Sequence, residues 1–197
     1  MKVALFDYGA GNLHSLAKAL ARFGADVRVT SDWSAALDGD ALVLPGVGSF
    51  QAAVRSLPAD PTPVRAALAG GHPCLGICLG MQLLFEQSEE GEGIGLGLVP
   101  GRVRRLRSPV VPQMGWNDVE TGPDPLFAVD APLIAYYANS FVCEPADPSH
   151  VIAWSEYEGD RFAAAVRAAH TWGVQFHPEK SSRPGLALIE RFLETVR

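Results

Sequence analysis

Cysteine is scarce in this 197-residue chain. Its three cysteines are Cys74, Cys78 and Cys143, an odd number that argues against a disulfide framework and for a reducing compartment. Cys74 and Cys78 are separated by three residues, a spacing that belongs neither to CxxC redox motifs nor to zinc knuckles. No cluster of metal-ligating residue types stands out in the sequence, so we expect neither a metal nor a cofactor.

Basic side chains and long apolar runs are also lacking. Sixteen Lys and Arg against 22 Asp and Glu give a net charge of −6, which argues against a protein held mainly by nucleic-acid phosphates. No run reaches the roughly 18 apolar residues of a membrane helix. The first apolar run ends at Asp7, unlike a signal peptide. We therefore expect a cytoplasmic protein that binds neither nucleic acids nor membranes.

The hydrophobic content of 48% is that of a globular protein. In the first half, short apolar runs alternate with segments of helical periodicity, which predicts a parallel sheet with helices on both faces. The predicted strands are Val3–Phe6, Val27–Val29, Ala41–Leu44 and Pro73–Ile77, and the predicted helices are Leu13–Phe23, Phe50–Leu57 and Pro63–Ala69. From Leu96 to Phe176 the runs are shorter and predict a largely antiparallel extension, which a helix from about Pro184 to Val196 follows. No linker or repeat interrupts the chain, so residues 1–197 are expected to form a single α/β domain.

A GxCxG turn follows the fourth predicted strand, in the segment Gly76-Ile77-Cys78-Leu79-Gly80. This pattern is the cysteine version of the nucleophile elbow, in which glycines permit a sharp turn from a strand into a helix. The start of the helix would favour the thiolate form of Cys78, and the amide of Leu79 could face an oxyanion. A buried structural cysteine would also account for the pattern when it is taken alone.

A second motif, His177-Pro178-Glu179, follows the predicted strand that ends near Phe176. The spacing allows the carboxylate of Glu179 to reach the far ring nitrogen of His177, as the acidic member of a catalytic triad does. A third segment, Pro45-Gly46-Val47-Gly48, follows a buried strand and could turn a peptide N–H toward a substrate carbonyl. A tight loop without a catalytic role is the alternative for that segment.

Together, Gly76-Ile77-Cys78-Leu79-Gly80-Met81-Gln82 and His177-Pro178-Glu179 resemble the class I, or triad, glutamine amidotransferases. Three further segments narrow the resemblance to the glutaminase subunits of imidazole glycerol phosphate synthase, which belong to histidine biosynthesis. They are Asp7-Tyr8-Gly9-Ala10-Gly11-Asn12-Leu13, Pro45-Gly46-Val47-Gly48-Ser49-Phe50 and Pro112-Gln113-Met114-Gly115-Trp116-Asn117. The resemblance covers essentially the whole chain.

The resemblance implies an open, mainly parallel sheet flanked by helices and a glutaminase that uses Cys78, His177 and Glu179. It assigns oxyanion and substrate binding to one set of residues, namely Gly46, Val47, Gly48, Leu79, Gln82, Ser140 and Phe141. It also implies a heterodimer with a (β/α)₈-barrel cyclase subunit that receives the ammonia.

Trp116 and Asn117 match a family motif at the junction with the barrel, and Asn12, in the loop after the first strand, is a further interface candidate. For Trp116, a core aromatic is the alternative. The chain departs from the family at Gln113 and Asn139, where many members carry histidine.

Three rival functions remain open at the level of the sequence. Gly9-Ala10-Gly11 could begin a dinucleotide-binding fingerprint, but His14 stands where the third glycine is required. The second rival is a glutaminase of the same fold that serves another synthase, such as that of vitamin B6, and the third is a non-catalytic scaffold. Arg102, Arg104, Arg105 and Arg107 alternate between strand faces, so we expect them to be solvated or partner-facing rather than to form one patch.

Overall fold

A computed structural model describes residues 1–9, 13–127 and 133–197. Strands and helices alternate in the first half of the chain, and strands predominate in the second half. The strands are β1 (Lys2–Phe6), β2 (Asp26–Thr30), β3 (Ala41–Leu44), β4 (Cys74–Ile77), β5 (Gln87–Ser88), β6 (Gly101–Arg105), β7 (Gln113–Thr121), β8 (Leu133–Asn139), β9 (Phe141–Pro145), β10 (Val151–Tyr157), β11 (Asp160–Ala168) and β12 (Thr171–Val174). The helices are α1 (His14–Arg22), α2 (Trp33–Leu37), α3 (Phe50–Arg55), α4 (Thr62–Ala69), α5 (Leu79–Gln82) and α6 (Ser182–Thr195).

The large sheet is parallel on one side and antiparallel on the other. Its order among the described strands is β2-β1-β3-β4-β12-β11-β10-β7-β8. Strands β2, β1, β3, β4 and β12 pair in parallel. On the far side of β12 the sheet continues with β11, β10, β7 and β8, which pair antiparallel. The expected α/β class, with a mainly parallel sheet and an antiparallel extension, is therefore confirmed.

Hydrophobic side chains cover both faces of the parallel strands. In β1, Leu5 packs with α1 and α6 on one face, while Phe6 packs with α3 and α4 on the other. Because successive side chains of a strand point to opposite faces, a strand covered on both sides must be apolar throughout. This requirement explains the unbroken apolar run of β3, whose four residues are all buried.

A smaller sheet, in the order β5-β6-β9, packs beside the antiparallel half. Strand β9 follows β8 after Ser140 and pairs antiparallel with β6. The β8–β9 corner lies beside the short helix after β4, because the Phe141 carbonyl accepts a hydrogen bond from the Gln82 side chain. This corner contains Ser140 and Phe141.

The sequence analysis missed one short helix, α2. Its N-cap, Asp32, accepts hydrogen bonds from the amides of Ser34 and Ala35. The helix has only five residues, so it is too short to produce a recognisable helical period. Its buried Trp33 stacks on Phe6 with ring centroids 4.0 Å apart.

The prediction for the arginine run was wrong for Arg104, whereas Arg102, Arg105 and Arg107 are exposed as expected. Arg104 is only 5% exposed and makes a bidentate ion pair with Asp160, with N···O distances of 2.7 and 2.8 Å. Arg102, Arg104 and Arg107 also converge on Glu144. Alternation along one strand did not predict this arrangement, because the carboxylates come from neighbouring strands.

In the described part of the chain, no helix combines the length and the apolar character needed to cross a membrane.

Candidate active site

Cys78 lies at the sharp turn between β4 and α5. Its backbone has φ 47° and ψ −103°, a strained conformation for a residue with a side chain. The turn is close-packed, since a Cβ on Gly76 would lie 2.6 Å from the carbonyl oxygen of Gly80, and a Cβ on Gly80 would collide with the carbonyl of Leu44. The predicted elbow is therefore present, and both of its glycines are required by close backbone approach.

The helix after the elbow is much shorter than the motif suggests. Helix α5 ends at Gln82 after four residues. A helix of one turn has little macrodipole, so the effect expected from a long helix behind Cys78 is absent.

His177 is held from several sides. Its amide donates to the carbonyl of Tyr136 on β8, and its own carbonyl accepts from the Ser181 hydroxyl at 2.6 Å. The ring nitrogen Nδ1 lies 2.8 Å from Oε1 of Glu179. Only 3% of His177 is exposed, so the imidazole has one orientation, with its other edge toward Cys78.

The environment of His177 favours its charged form. Burial by itself lowers the pKa of His177, but hydrogen bonds and charge interactions with Cys78 and Glu179 outweigh it and raise the pKa to about 10. The direction follows from a buried imidazolium between a carboxylate and a sulfur that can become anionic. Both neighbours therefore favour a protonated imidazole at His177.

The Pro45–Gly48 loop packs directly against this pair. A Cβ on Gly46 would lie 2.9 Å from both Cβ of Cys78 and Cε1 of His177. Val47 lines a cavity of about 230 Å³ next to Gly46 and Glu179. Gly48 is exposed and has φ 114°, in the region that favours glycine. The structure thus places Gly46 against Cys78 and His177 and Val47 beside Glu179.

Two of the residues that were predicted to bind the substrate, Gln82 and Phe141, are in contact. The Gln82 amide, one turn after Cys78, donates to the Phe141 carbonyl at 3.2 Å, and the Asn139 amide donates to the same oxygen at 3.1 Å. Gln113 is paired with Asn139 across β7 and β8 and is 2% exposed. Among the described residues neither polar atom of the Gln113 amide has a hydrogen-bond partner. The two departures from the family therefore form a buried amide pair beside Gln82 and Phe141.

Gln175 also contacts the nucleophile, and the sequence analysis missed it. Its Nε2 lies 3.5 Å from Sγ of Cys78, and the side chain is fully buried. Nothing local to Gln175 indicated this contact, because Gln175 follows β12 and meets Cys78 only through the pairing of β12 with β4.

Two of the three predicted interface residues can be located. Trp116 is 55% exposed, so its interpretation as a core aromatic is wrong. It lies edge-on to Tyr136 at 6.1 Å between ring centroids. The amide of Asn117 donates to the carbonyl of Glu156. Asn12 lies outside the described residues.

Solved structures with the same fold include a glutamine amidotransferase (TM-score 0.77, 20% identity, 98% of both chains covered). PurLQS from Thermotoga maritima is another (TM-score 0.78, 18% identity, 100% of this chain and 99% of the other covered). The family model described as "Glutamine amidotransferase class-I" matches residues 4–196. The chain thus has the fold of the class I glutamine amidotransferases and belongs to that family.

Curated relatives narrow the family. The imidazole glycerol phosphate synthase subunit HisH of Mycolicibacterium paratuberculosis is 42% identical, with 98% of both chains covered. The HisH subunit of Microcystis aeruginosa is 43% identical, with 99% of this chain and 96% of the relative covered. The chain belongs to this HisH family of glutamine amidotransferases, and its function lies in histidine biosynthesis.

Proposed function

We propose that the chain hydrolyses glutamine to glutamate and ammonia with Cys78 as nucleophile, His177 as proton carrier and Glu179 as the residue that orients His177. The contacts of His177 with Glu179 on one side and with Cys78 on the other support the proposal most directly. Glu179 occupies Nδ1 of His177 at 2.8 Å, which leaves Nε2 for proton transfer at the reacting atoms. Buried contacts with both partners keep the imidazole charged.

The reaction proceeds in two halves. The Cys78 thiolate attacks the side-chain amide carbon of glutamine, the S–C bond forms, and the C–N bond breaks as His177 gives its proton to the leaving nitrogen. The products of this half are a thioester, ammonia and neutral His177. Neutral His177 then takes a proton from water as the water oxygen attacks the thioester. Glutamate leaves, and the thiolate–imidazolium pair is restored.

The negative charge that develops on the substrate oxygen needs donors. The Leu79 amide, directly after the nucleophile, and a peptide of the Gly46–Gly48 loop are the proposed donors. One such donor contributes about 3–4 kcal/mol in comparable acyl transfers. A loop peptide that faces away therefore makes the enzyme slow, and a partner that turns the peptide inward activates it.

The amino-acid end of glutamine is proposed to lie between Gln82 and the β8–β9 corner at Ser140 and Phe141. The convergence of the Gln82 and Asn139 amides on the Phe141 carbonyl supports this placement. The hydrogen bond from Gln82 connects the β8–β9 corner to α5. Because α5 begins directly after Cys78, the corner is thereby held close to Cys78.

The ammonia is proposed to pass to a (β/α)₈-barrel cyclase subunit in a cytoplasmic heterodimer. The support on this chain is an apolar surface, here called the docking surface, formed by Met114, Trp116, Ile134 and Tyr136. Met114, Trp116 and Ile134 are 63%, 55% and 47% exposed. Tyr136 carries the carbonyl that anchors the His177 amide. A partner seated there would lie next to the triad, and Asn117 would lie at its rim.

Ammonia release tests the nucleophile. Cys78→Ala is expected to abolish ammonia release from glutamine while the fold is retained. Cys74→Ala is the matched control, because Cys74 is equally buried and burial raises the pKa of its thiol far above the ordinary range, which keeps it protonated. Full activity of the Cys78 variant would reject the proposal.

A reconstitution experiment tests the pathway and the gating together. Ammonia release is measured for the chain alone, with the cyclase subunit, and with the cyclase subunit plus its nucleotide ligand. We expect activation by the cyclase subunit of imidazole glycerol phosphate synthase and none by the synthase of vitamin B6 synthesis. Equal rates with and without the cyclase subunit would reject the gating.

A further inference from the structure

The side-chain amide of Gln175 is buried beside Cys78, with its nitrogen in contact with the sulfur and its oxygen unpaired among the described residues. Nε2 faces Sγ of Cys78 at 3.5 Å, a contact between residues 97 positions apart. The side chain has no exposed surface. Its oxygen Oε1 is also buried and has no hydrogen-bond partner among the residues that the structure describes. A buried amide oxygen without a partner is costly, so an occupant that donates a hydrogen bond is expected there.

The position of Oε1 restricts what that occupant can be. The planar amide keeps Oε1 about 2.2 Å from Nε2, so Oε1 lies within about 6 Å of the sulfur. That range includes the place where the carboxamide of a substrate must sit when its carbon is attacked by Sγ. A glutamine carboxamide has two N–H donors, whereas a carboxylate or an ester has none at that position.

The backbone holds Gln175 firmly. Its amide donates to the carbonyl of Ala164 on β11, and the preceding Val174 pairs with Ile77 on β4. The Val174 carbonyl in turn accepts from the Cys78 amide at 2.7 Å. Gln175 and the elbow are therefore tied to the same pair of strands, and the distance between amide and sulfur is set by the sheet.

We propose that Gln175 is a further catalytic residue, which holds the Cys78 sulfur with Nε2 and accepts a hydrogen bond from the carboxamide nitrogen of glutamine with Oε1. The first contact stabilises the thiolate and aims it. The second places the leaving nitrogen and selects an amide over a substrate without an N–H donor. This inference rests on the proposed function, since it requires Cys78 to be the nucleophile.

The test uses Gln175→Met in the full chain, with and without the cyclase subunit. Methionine has a similar length and no amide, so both proposed contacts are lost. We expect kcat for glutamine and the rate of alkylation of Cys78 by iodoacetamide to fall about ten- to hundredfold. Mass spectrometry of the Cys78 peptide separates this thiol from the two other cysteines.

A substrate comparison separates catalysis from mere packing. The γ-methyl ester of glutamate has the reacting carbonyl but no N–H at the leaving group. We expect the ratio of kcat/KM for glutamine to that for the ester to fall in Gln175→Met, because only the amide loses the contact with Oε1. A packing defect would lower both values together.

Thr171→Val is the matched control. Thr171 is buried on β12, four residues before Gln175, and its hydroxyl also has no partner within the described residues. The Thr171→Val variant should leave three quantities unchanged: the rate of alkylation of Cys78, kcat for glutamine, and the ratio of kcat/KM for glutamine to that for the ester. If Gln175→Met fails to fold, Gln175→Asn replaces it, since the shorter amide withdraws from the sulfur but keeps its chemistry. A variant that folds and matches Thr171→Val in all three measurements overturns the inference.

Cys78→Ala, measured alongside, distinguishes the role of Gln175 from the proposed function. An active Cys78→Ala chain rejects the proposed function. An inactive Cys78→Ala chain with a fully active Gln175→Met chain rejects only the role of Gln175.

Discussion

His177 shows how the balance between burial and neighbouring charge decides the chemistry of one residue. Burial alone would make this imidazole neutral, but its contacts with Cys78 and Glu179 raise its pKa to about 10. A general acid is useful only below its pKa, so in the proposed reaction His177 can supply the proton to the leaving nitrogen throughout the neutral range. The carboxylate of Glu179, which has one oxygen on His177, contributes to that shift.

Glu179→Gln should therefore lower kcat for glutamine by about a thousandfold or more, since an amide neither fixes the same tautomer nor balances the imidazolium. With one of its charge partners removed, the pKa of His177 falls, so the loss of activity at high pH should begin at lower pH than in the unmodified chain. A pH–rate profile of ammonia release measures both effects. The exposed Glu194→Gln is the control, and an unchanged profile for Glu179→Gln would contradict the role of this carboxylate.

At the scale of elements, the Pro45–Gly48 loop depends on the absence of a side chain at Gly46. A methyl group there would lie 2.9 Å from atoms of both Cys78 and His177, closer than carbon atoms pack. Because neither neighbour can retreat in a close-packed core, the loop itself must move. The backbone at Gly46 can thus approach the two catalytic side chains only with glycine.

We expect Gly46→Ala to reduce ammonia release by about a hundredfold or more, because a displaced loop withdraws an oxyanion donor. Steady-state kinetics should show the loss mainly in kcat, and thermal unfolding should show a folded protein. Gly70→Ala, at the end of α4 and away from the site, serves as the control. Normal kcat in Gly46→Ala would show that the loop does not supply a donor.

The two sheets are joined by an ion pair rather than by apolar contacts alone. Arg104 of β6 and Asp160 of β11 are both nearly buried, and Asp160 also accepts from the amide of Arg107 at 2.8 Å. Burial by itself raises the pKa of Asp160, but the hydrogen bonds and charges of Arg104 and Arg107 outweigh it, so the pKa lies below the ordinary value. The pair thereby connects β6, the partner of β9, to the central sheet.

Arg104→Met should lower the free energy of unfolding by about 3–5 kcal/mol at neutral pH, since it leaves a buried carboxylate without its partner. The stabilisation from Asp160 is present above the pKa of its unfolded state, about 3.9, and is lost as the pH falls through its lower folded value. The difference in the free energy of unfolding between the unmodified chain and Arg104→Met should therefore decrease below about pH 4.

Urea unfolding at several pH values measures that difference. The exposed pair of Arg161 with Glu120 offers a control, and Arg161→Met should cost at most about 1 kcal/mol. Equal costs for the two arginine variants would contradict the importance of burial.

At the scale of the whole molecule, the proposed docking surface lies beside His177, because the Tyr136 carbonyl accepts from the His177 amide. Trp116 and Tyr136 are paired across β7 and β8, and Tyr136 contacts His177 through its backbone. A partner that presses on this surface would therefore act on the strand that positions His177. Apolar aromatic side chains are also the ones that contribute most to binding when an interface covers them.

Trp116→Ala is expected to weaken binding of the cyclase subunit by about 2 kcal/mol, or roughly thirtyfold. Because Trp116 is half exposed in the free chain, its removal should leave stability nearly unchanged. Titration calorimetry with the cyclase subunit measures the affinity, and Ile94→Ala, at another exposed apolar residue, is the control. Unchanged affinity would place the interface elsewhere.

Much of this protein was predictable from local sequence. The apolar runs of β1, β3 and β4 predict buried parallel strands. Their residues do not alternate between apolar and polar, as is typical of strands that are covered on both faces. The GxCxG turn and the His177-Pro178-Glu179 segment were recognisable because each is a short motif whose geometry depends on neighbouring residues. The resemblance to a family then supplied the pocket residues, whose roles stay predictions.

Tertiary structure alone decided the contacts between residues distant in the chain. Gln175 and Cys78 are 97 positions apart, and nothing local to either residue indicates that β12 pairs beside β4. The burial of Arg104 depended on a carboxylate supplied by another sheet, so its own strand predicted a solvated side chain. Local motifs specify turns and strands, because steric effects act between residues that are close in the sequence. Contacts between residues distant in the sequence depend instead on the order of the strands in the sheet. That order is a property of the whole packed sheet.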